Sequence, residues 1–348
     1  LVTAIPNKSS APEDIAPLRT VYIEGTGSAF PEQTLSSEEL GLRLGKSADW
    51  ITSRTGIGSR HIASPSEEQP NATLGFKASS EALFRAGQTI NDMDHVIFCS
   101  ATVDRFIPNG ACDMMSLFGP KKPIPCHDIN AACAGFLFGF SQAHAMIASG
   151  QCERVLVVGS EVLSRYVDWK DPGTCIIFGD GAGAMVLAAK PHDDSKGKSD
   201  TKSRASRLIG HKLFSDASQT DILYIDLHGY EKPPLIKMNG REVFRHAVTK
   251  VGEAIRLVLE HTGISADEID HLVPHQANMR IIDGICTALQ FPASKVVTNL
   301  EQYGNTSAAS IPAAFHQAVV SGRIQRGDLV CFAGLGAGLT YGASLFRY

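Results

Sequence analysis

The chain has no apolar run approaching the roughly 18 residues that cross a bilayer, and its opening stretch lacks a charged segment followed by an apolar core. A soluble, cytoplasmic protein without membrane insertion is the expectation. An excess of positive charge is also missing. The 32 Lys+Arg stand against 36 Asp+Glu, for a formal net charge of -4 and no long basic tract, so phosphate-driven binding of nucleic acid has no electrostatic basis. Cysteine is sparse: 8 in 348 residues, none paired as C-x-x-C. That excludes a disulfide scaffold and supplies no zinc or dithiol motif, so most thiols are expected to lie reduced inside strands and helices. With 43% hydrophobic and 20% charged residues, disorder, collagen and coiled coil are excluded as well.

What is present is an alternation. Short strand-like runs at 96–100, 155–159, 272–274 and 329–333 are separated by Ala-rich segments of helical period, which predicts an α/β fold. The chain also repeats itself loosely. Gly87 lies eight residues before His95 and Gly263 eight before His271, each ahead of an apolar strand; Gly150 leads into 154–159 and Gly322 into 328–334. Two duplicated halves are expected, an N-terminal one over 21–190 and a C-terminal one over 207–348. Residues 1–20 read as a poorly ordered N-terminal extension. Residues 191–206, polar and without apolar periodicity, read as a surface excursion between the halves.

Three residues gather the chemistry. Cys133, in Ala131-Ala132-Cys133-Ala134-Gly135, follows the strand-like 124–129 and opens an apolar helix predicted over 136–147. At a helix start, unpaired N–H groups and the macrodipole favour thiolate and lower its pKa, and the small flanking residues leave room for a substrate. Cys99, Cys126, Cys175 and Cys331 read as small hydrophobes, and Cys112, Cys152 and Cys286 have no better context. Cys133 lies 17 residues before Gly150 and Asn305 lies 17 before Gly322, which makes the two pseudo-equivalent. A pseudo-dyad between the halves would then bring thiol and amide into one pocket. His275 ends the strand-like 272–274, where function gathers in α/β proteins. Each has a plainer alternative: buried hydrophobe, helix cap, structural histidine. The glycine clusters 179–183 and 334–338 run into strand-like 184–188 and 339–346 rather than a helix, so a nucleotide loop is disfavoured and backbone N–H groups for an oxyanion are the better use.

With these residues stand longer strings: Trp50-Ile51-Thr52-Ser53-Arg54-Thr55-Gly56-Ile57, Ile177-Phe178-Gly179-Asp180-Gly181-Ala182-Gly183, Val273-Pro274-His275-Gln276-Ala277-Asn278-Met279-Arg280 and Gly304-Asn305-Thr306-Ser307-Ala308-Ala309-Ser310. Together they resemble the β-ketoacyl-acyl carrier protein synthase III family of the thiolase-like superfamily, over nearly the whole chain. The resemblance implies a five-layered αβαβα fold built from two duplicated halves and a homodimer. It implies acyl-CoA and malonyl-acyl carrier protein as substrates, with no metal and no cofactor. It also implies an acyltransferase reaction that starts fatty-acid synthesis. Cys133 would take the acyl group, and His275 and Asn305 would bond the malonyl thioester oxygen as carbon dioxide leaves. The N–H groups of Cys133 and Ala337 would hold the tetrahedral oxyanion. Trp50, Arg54, Gly240, Phe244, Asn278 and Arg280 would line the substrate tunnel, and Arg245 and Arg280 would meet the carrier protein.

Several positions depart from the family pattern. Pro172 stands where many members carry an Arg on the CoA adenine, Thr287 and Ala288 replace frequently basic residues, and Ala337 replaces a usual Gly. Ile107 stands where a Phe often closes the neighbouring subunit's acyl pocket, and a primer longer or more branched than acetyl is expected. Two alternatives to the initiating enzyme are a pathway-specific synthase of specialised metabolism using the same acyl-cysteine and an inactive dimer partner of the same fold.

Overall fold

The computed structural model describes residues 18–64, 66–190, 206–226 and 233–348. The expected N-terminal extension, up to residue 17, and the polar excursion, over 191–205, lie outside the described residues. The first half of the chain runs β1 (Val21–Ala29), β2 (Thr34–Ser36), α1 (Ser37–Leu44), α2 (Ala48–Thr55), β3 (Ser59–His61), α3 (Pro70–Ala86), β4 (His95–Cys99), α4 (Gly110–Phe118), β5 (Cys126–Ile129), α5 (Gly135–Ala148), β6 (Arg154–Glu161) and β7 (Gly181–Ala189). The second runs β8 (Arg207–Ser215), β9 (Leu223–Ile225), β10 (Ile236–Met238), α6 (Gly240–Thr262), β11 (His271–Pro274), α7 (Met279–Leu289), α8 (Leu300–Tyr303), α9 (Ser310–Val320), β12 (Leu329–Gly336) and β13 (Thr340–Arg347).

One sheet has the order β1-β7-β6-β4-β5 and another the order β11-β12-β13-β8. In the first, β4 is parallel to β5 and β6, while β7 is antiparallel to β6 and β1. In the second, β11 is parallel to β12, while β13 is antiparallel to β12 and β8. The two orders are the same order, with β4, β6, β7 and β1 matched by β11, β12, β13 and β8. Where the partner of β5 would stand, Val296 makes one parallel bridge to Leu272. The duplication read from the glycine spacings is therefore a duplication of topology.

The layers follow from strand alternation. On β6, Val155 and Val157 face the interior shared with the second sheet, and Leu156 and Val158 face the opposite side. On β12, Val330 and Phe332 face that same interior, and Leu329, Cys331 and Ala333 face away. Central strands covered on both faces read as continuous apolar runs, which is how these two appear in the sequence. The shared interior holds α5 and α9, whose Phe136, Phe140 and Phe315 pack on Phe332 and Phe346. Outside, α3 and α4 cover the first sheet through Ala78, Leu83 and Met114, and α6 and α7 cover the second through Val251, Ile255 and Ile285. The result is five layers, αβαβα.

The structure corrects one pairing. Helix α5 has 14 residues and α9 only 11, so counting back from the matched glycines Gly150 and Gly322 does not reach equivalent starts. Before each helix one non-glycine residue has a left-handed backbone, Ala132 at φ 47 and Ser307 at φ 49. Two residues earlier, each has an Asn whose Oδ1 accepts that residue's N–H: Asn130 from Ala132 at 3.2 Å, Asn305 from Ser307 at 2.8 Å. The counterpart of Asn305 is Asn130, and the counterpart of Cys133 is Ala308. The shared count of 17 arises because α9 is shorter than α5 by as many residues as Asn305 stands farther than Cys133 from the start of its helix.

Candidate active site

A cavity of about 290 Å³ is lined by Cys133, His275 and Asn305, which are only 9%, 6% and 5% exposed. Its lining comes from both halves: Arg54, Cys133, Ile177 and Phe178 from the first, and Val243, Phe244, His275, Asn278, Arg280, Asn305 and Leu335 among those from the second. Exposed Arg54 and Arg280 mark the open end.

Cys133 lies in a single 3-10 turn, Ala132–Ala134, that runs into α5. The turn is gripped from β12 and β13. Thr340 Oγ1 donates to Ala131 O at 2.7 Å, and a Cβ placed on Gly336 would stand 2.7 Å from Cys133 N and 2.9 Å from Ala134 N. Only glycine permits that approach. Ser307 faces the thiol and pulls its pKa down, and its hydroxyl donates to Glu161 Oε1 at 3.0 Å. Burial pushes the thiol up to about 12, against the pull of Ser307 and with a small addition from Glu161. This reverses the expectation of a lowered pKa: the turn is sealed from water, and loss of solvation outweighs what a helix start supplies.

His275 directly follows β11, its N–H donating to Ala333 O at 2.8 Å. Its Nδ1 is 2.7 Å from Ser310 Oγ, and that same oxygen accepts Gln276 N–H at 3.3 Å. With the serine proton given to Nδ1, the ring hydrogen stands on Nε2 and can be donated into the cavity. Burial pushes the imidazole down to about 3, so it is neutral at physiological pH.

Asn305 is tied to the other half by a two-way backbone bridge, its N–H donating to Ile177 O at 2.9 Å and its carbonyl accepting Gly179 N–H at 3.0 Å. Because Oδ1 is taken by Ser307 N–H, Nδ2 is the end of the carboxamide left to act as a donor. The helix-cap alternative gives way to this closed turn.

The other expected residues divide. Gly240, Phe244, Arg54, Asn278 and Arg280 line the cavity. Asn278 Nδ2 donates to Arg54 O at 3.1 Å and Arg280 Nη2 to Ser53 O at 2.8 Å, which locks the start of α7 onto α2. Trp50 stands beside the cavity rather than in its lining, with Arg54 Cζ 4.3 Å and Lys46 Nζ 5.4 Å from its ring. Ala337 follows Gly336 in the turn between β12 and β13 and is outside the lining. Ile107 is 79% exposed and Arg245 is paired with Glu242 at 2.6 Å; neither reaches the cavity. Cys126, read as a small hydrophobe, is only partly buried on β5, with its Sγ 3.6 Å from that of exposed Cys112.

Sequence reasoning missed Glu161, Ser307, Ser310 and Gly336. The one available signal was a carboxylate ending the apolar run 155–160. Among the described residues no group of three or more His, Cys, Asp or Glu side chains could hold a metal ion, and no helix is long and apolar enough to cross a membrane.

Two family models match the chain, 3-Oxoacyl-[acyl-carrier-protein (ACP)] synthase III over residues 127–205 and its C-terminal part over 259–348. The chain is 41% identical to the beta-ketoacyl-[acyl-carrier-protein] synthase III of Erythrobacter litoralis, over 94% of this chain and 98% of that protein. Among solved structures it is similar to the 3-oxoacyl-[acyl-carrier-protein] synthase III of Aquifex aeolicus, with TM-score 0.85 and 37% identity over 94% of this chain and 100% of that one. It is also similar to the priming beta-ketosynthase of the R1128 polyketide pathway, with TM-score 0.85 and 32% identity over 96% and 98%. With the same topology in both sheets and nearly full-length identity of this degree, the chain belongs to the 3-oxoacyl-[acyl-carrier-protein] synthase III family.

Proposed function

We propose that this protein joins an acyl group from acyl-CoA to malonyl-acyl carrier protein with loss of carbon dioxide, the initiating condensation of fatty-acid synthesis. The observation that carries the reading is the convergence of a thiol, a neutral imidazole and a carboxamide in one apolar cavity with arginines at its open end. Cys133 attacks the acyl-CoA thioester and expels coenzyme A as thiolate, leaving an acyl-cysteine. The N–H groups of Cys133 and Ala337 receive the tetrahedral oxyanion.

Malonyl-acyl carrier protein enters next. As its carboxylate departs as carbon dioxide, the electron pair left behind moves onto the thioester oxygen, where Nε2–H of His275 and Nδ2–H of Asn305 meet it. Neither donor changes charge, so the step needs no external base. The carbanion carbon then bonds to the acyl carbonyl, and Cys133 leaves as thiolate. Water would hydrolyse the acyl-cysteine, and the apolar wall behind the sulfur excludes it.

At the open end, Arg54 and Arg280 suit the phosphates of the donor, while Trp50, Gly240, Phe244 and Asn278 accompany the pantetheine arm. Arg245 and Arg280 are the carrier-protein contacts. The protein acts as a cytoplasmic homodimer without metal or cofactor, Ile107 reaching the neighbouring subunit's acyl site. A side chain smaller than Phe there favours primers longer or more branched than acetyl.

The test is intact-mass detection of acyl adducts across a panel of acyl-CoA thioesters, with and without malonyl-acyl carrier protein. The expected result is one acyl mass on Cys133, discharged with stoichiometric carbon dioxide when malonyl carrier protein is added. No adduct with any thioester would mean an inactive dimer partner. An adduct discharged only by an oxygen or nitrogen nucleophile would support a specialised synthase, the second reading, which the likeness to a priming ketosynthase of a polyketide pathway favours. Equal or better turnover of acetyl-CoA would defeat the expected primer.

A further inference from the structure

Glu161 ends β6 with 0% exposure. Its oxygens accept bonds from Ser100 Oγ, Ala101 N–H, Thr102 Oγ1 and Ser307 Oγ. Every one of these donors is neutral. A buried carboxylate without a cation is costly, and this one is held in place from two directions. Ser100, Ala101 and Thr102 follow β4, and Asn71 of α3 braces them by donating to Ser100 Oγ at 3.0 Å. Ser307 comes from the other half of the chain. Its φ of 49 is a left-handed conformation that a non-glycine residue rarely adopts, and the bonds to Asn305 and Glu161 hold it there.

The hydroxyl of Ser307 stands between this carboxylate and the thiol of Cys133. It owns one proton. With that proton donated to Glu161, the oxygen has lone pairs that can accept a proton from Cys133. We propose that Glu161 receives the thiol proton of Cys133 through Ser307 during acylation.

As sulfur attacks the thioester carbon, the S–H bond breaks and the proton bonds to Ser307 Oγ, whose own proton passes to Glu161 Oε1. The electron pair of the S–H bond becomes the S–C bond, and coenzyme A departs as thiolate. Glu161 is left neutral. When the condensation expels Cys133 as thiolate, the proton returns by the same path. Burial pushes Glu161 up to about 7, within the range of a working proton acceptor near neutral pH. His275 does not compete for this role in the ground state, since Nε2 carries the hydrogen.

The groups facing Glu161 are few. Burial raises the thiols of Cys133 and Cys99 well above their ordinary value, so both stay neutral across the working range. Arg165, which donates to Thr102 O, is ion-paired with Asp104 at 2.9 Å. A pH dependence of acylation near 7 therefore belongs to Glu161, a positioning residue that acts through Ser307 and does not touch substrate.

The inference rests on Cys133 being the acylated nucleophile, and the experiment separates the two claims. Single-turnover acylation by acyl-CoA is followed by intact mass from pH 5 to 9 in the wild-type protein, Glu161→Gln, Glu161→Asp and Ser307→Ala. The wild-type rate is expected to rise with pH through about 7. Glu161→Gln and Ser307→Ala are expected to slow acylation by about 100-fold and lose that limb, with half-saturating acyl-CoA unchanged; Glu161→Asp is expected to restore part of the rate and the limb. A folded Glu161→Gln or Ser307→Ala protein that keeps both rate and limb would overturn the relay while leaving the acyl-cysteine intact. No adduct on the wild-type protein would overturn the nucleophile itself.

Discussion

At the scale of single residues, burial sets the protonation states and does so in opposite senses for acid and base. Glu161 has a folded pKa of about 7 against an ordinary 4.5, with loss of solvation as the leading cause. A raised folded pKa means that its contribution to stability is fully present below about 4.5 and is lost as pH rises through about 7. At about 1.4 kcal/mol per unit this is about 3 kcal/mol. Glu161→Gln should therefore lose less stability than the wild-type protein between pH 5 and 8. Urea midpoints at the two pH values check it, and equal changes in both proteins would refute it. His275 runs the other way: lowered to about 3, its contribution is present above the ordinary 6.5 and is lost as pH falls through about 3. The condensation step should accordingly show no limb from His275 between pH 5 and 8. A limb abolished by His275→Asn would contradict that.

At the scale of elements, the site depends on how closely strands approach turns. Gly336, at the end of β12, lies so near the Cys133 turn that Gly336→Ala drives a methyl to within 2.7 Å of backbone nitrogen. Backbone cannot yield as a side-chain tip can, so the turn must move. Acylation is expected to fall about 100-fold, the scale for a displacement of about 1 Å at a reacting group, while stability falls by about 1–3 kcal/mol. Stopped-flow release of coenzyme A measures the first and urea unfolding the second. An unchanged rate would show that the turn has slack. Strand and helix positions were legible at this scale because their signal is local: an apolar run at 155–159 or an apolar helical stretch at 136–147 needs no partner to be recognised. The equivalence of Cys133 with Asn305 was misread because helix length had to be inferred from terminal glycines, and α9 with 11 residues is shorter than α5 with 14.

At the scale of the whole molecule, the two halves share one interior. Phe136 and Phe140 from the first half lie against Phe332 and Phe346 from the second, so neither sheet can open without exposing the helices that serve both. Phe332→Ala should cost about 3–5 kcal/mol and lower protection from amide exchange in β4 and β6 as much as in β12. Loss confined to the second sheet would indicate halves that unfold separately. The same arrangement makes the cavity: Asn305 bonds the backbone at Ile177 and Gly179 across the halves, and Ser307 reaches Glu161.

The sequence by itself determined the duplicated α/β plan and picked out Cys133, His275 and Asn305, because periodicity, small-residue turns and strand ends are properties of neighbouring residues. Only the tertiary structure decided their protonation and orientation. It raised the thiol, kept the imidazole neutral, engaged the carboxamide oxygen with Ser307 N–H and set Glu161 behind Ser307. Those outcomes depend on what water can reach and which groups meet across 146 residues of chain, and neither is written in any local pattern.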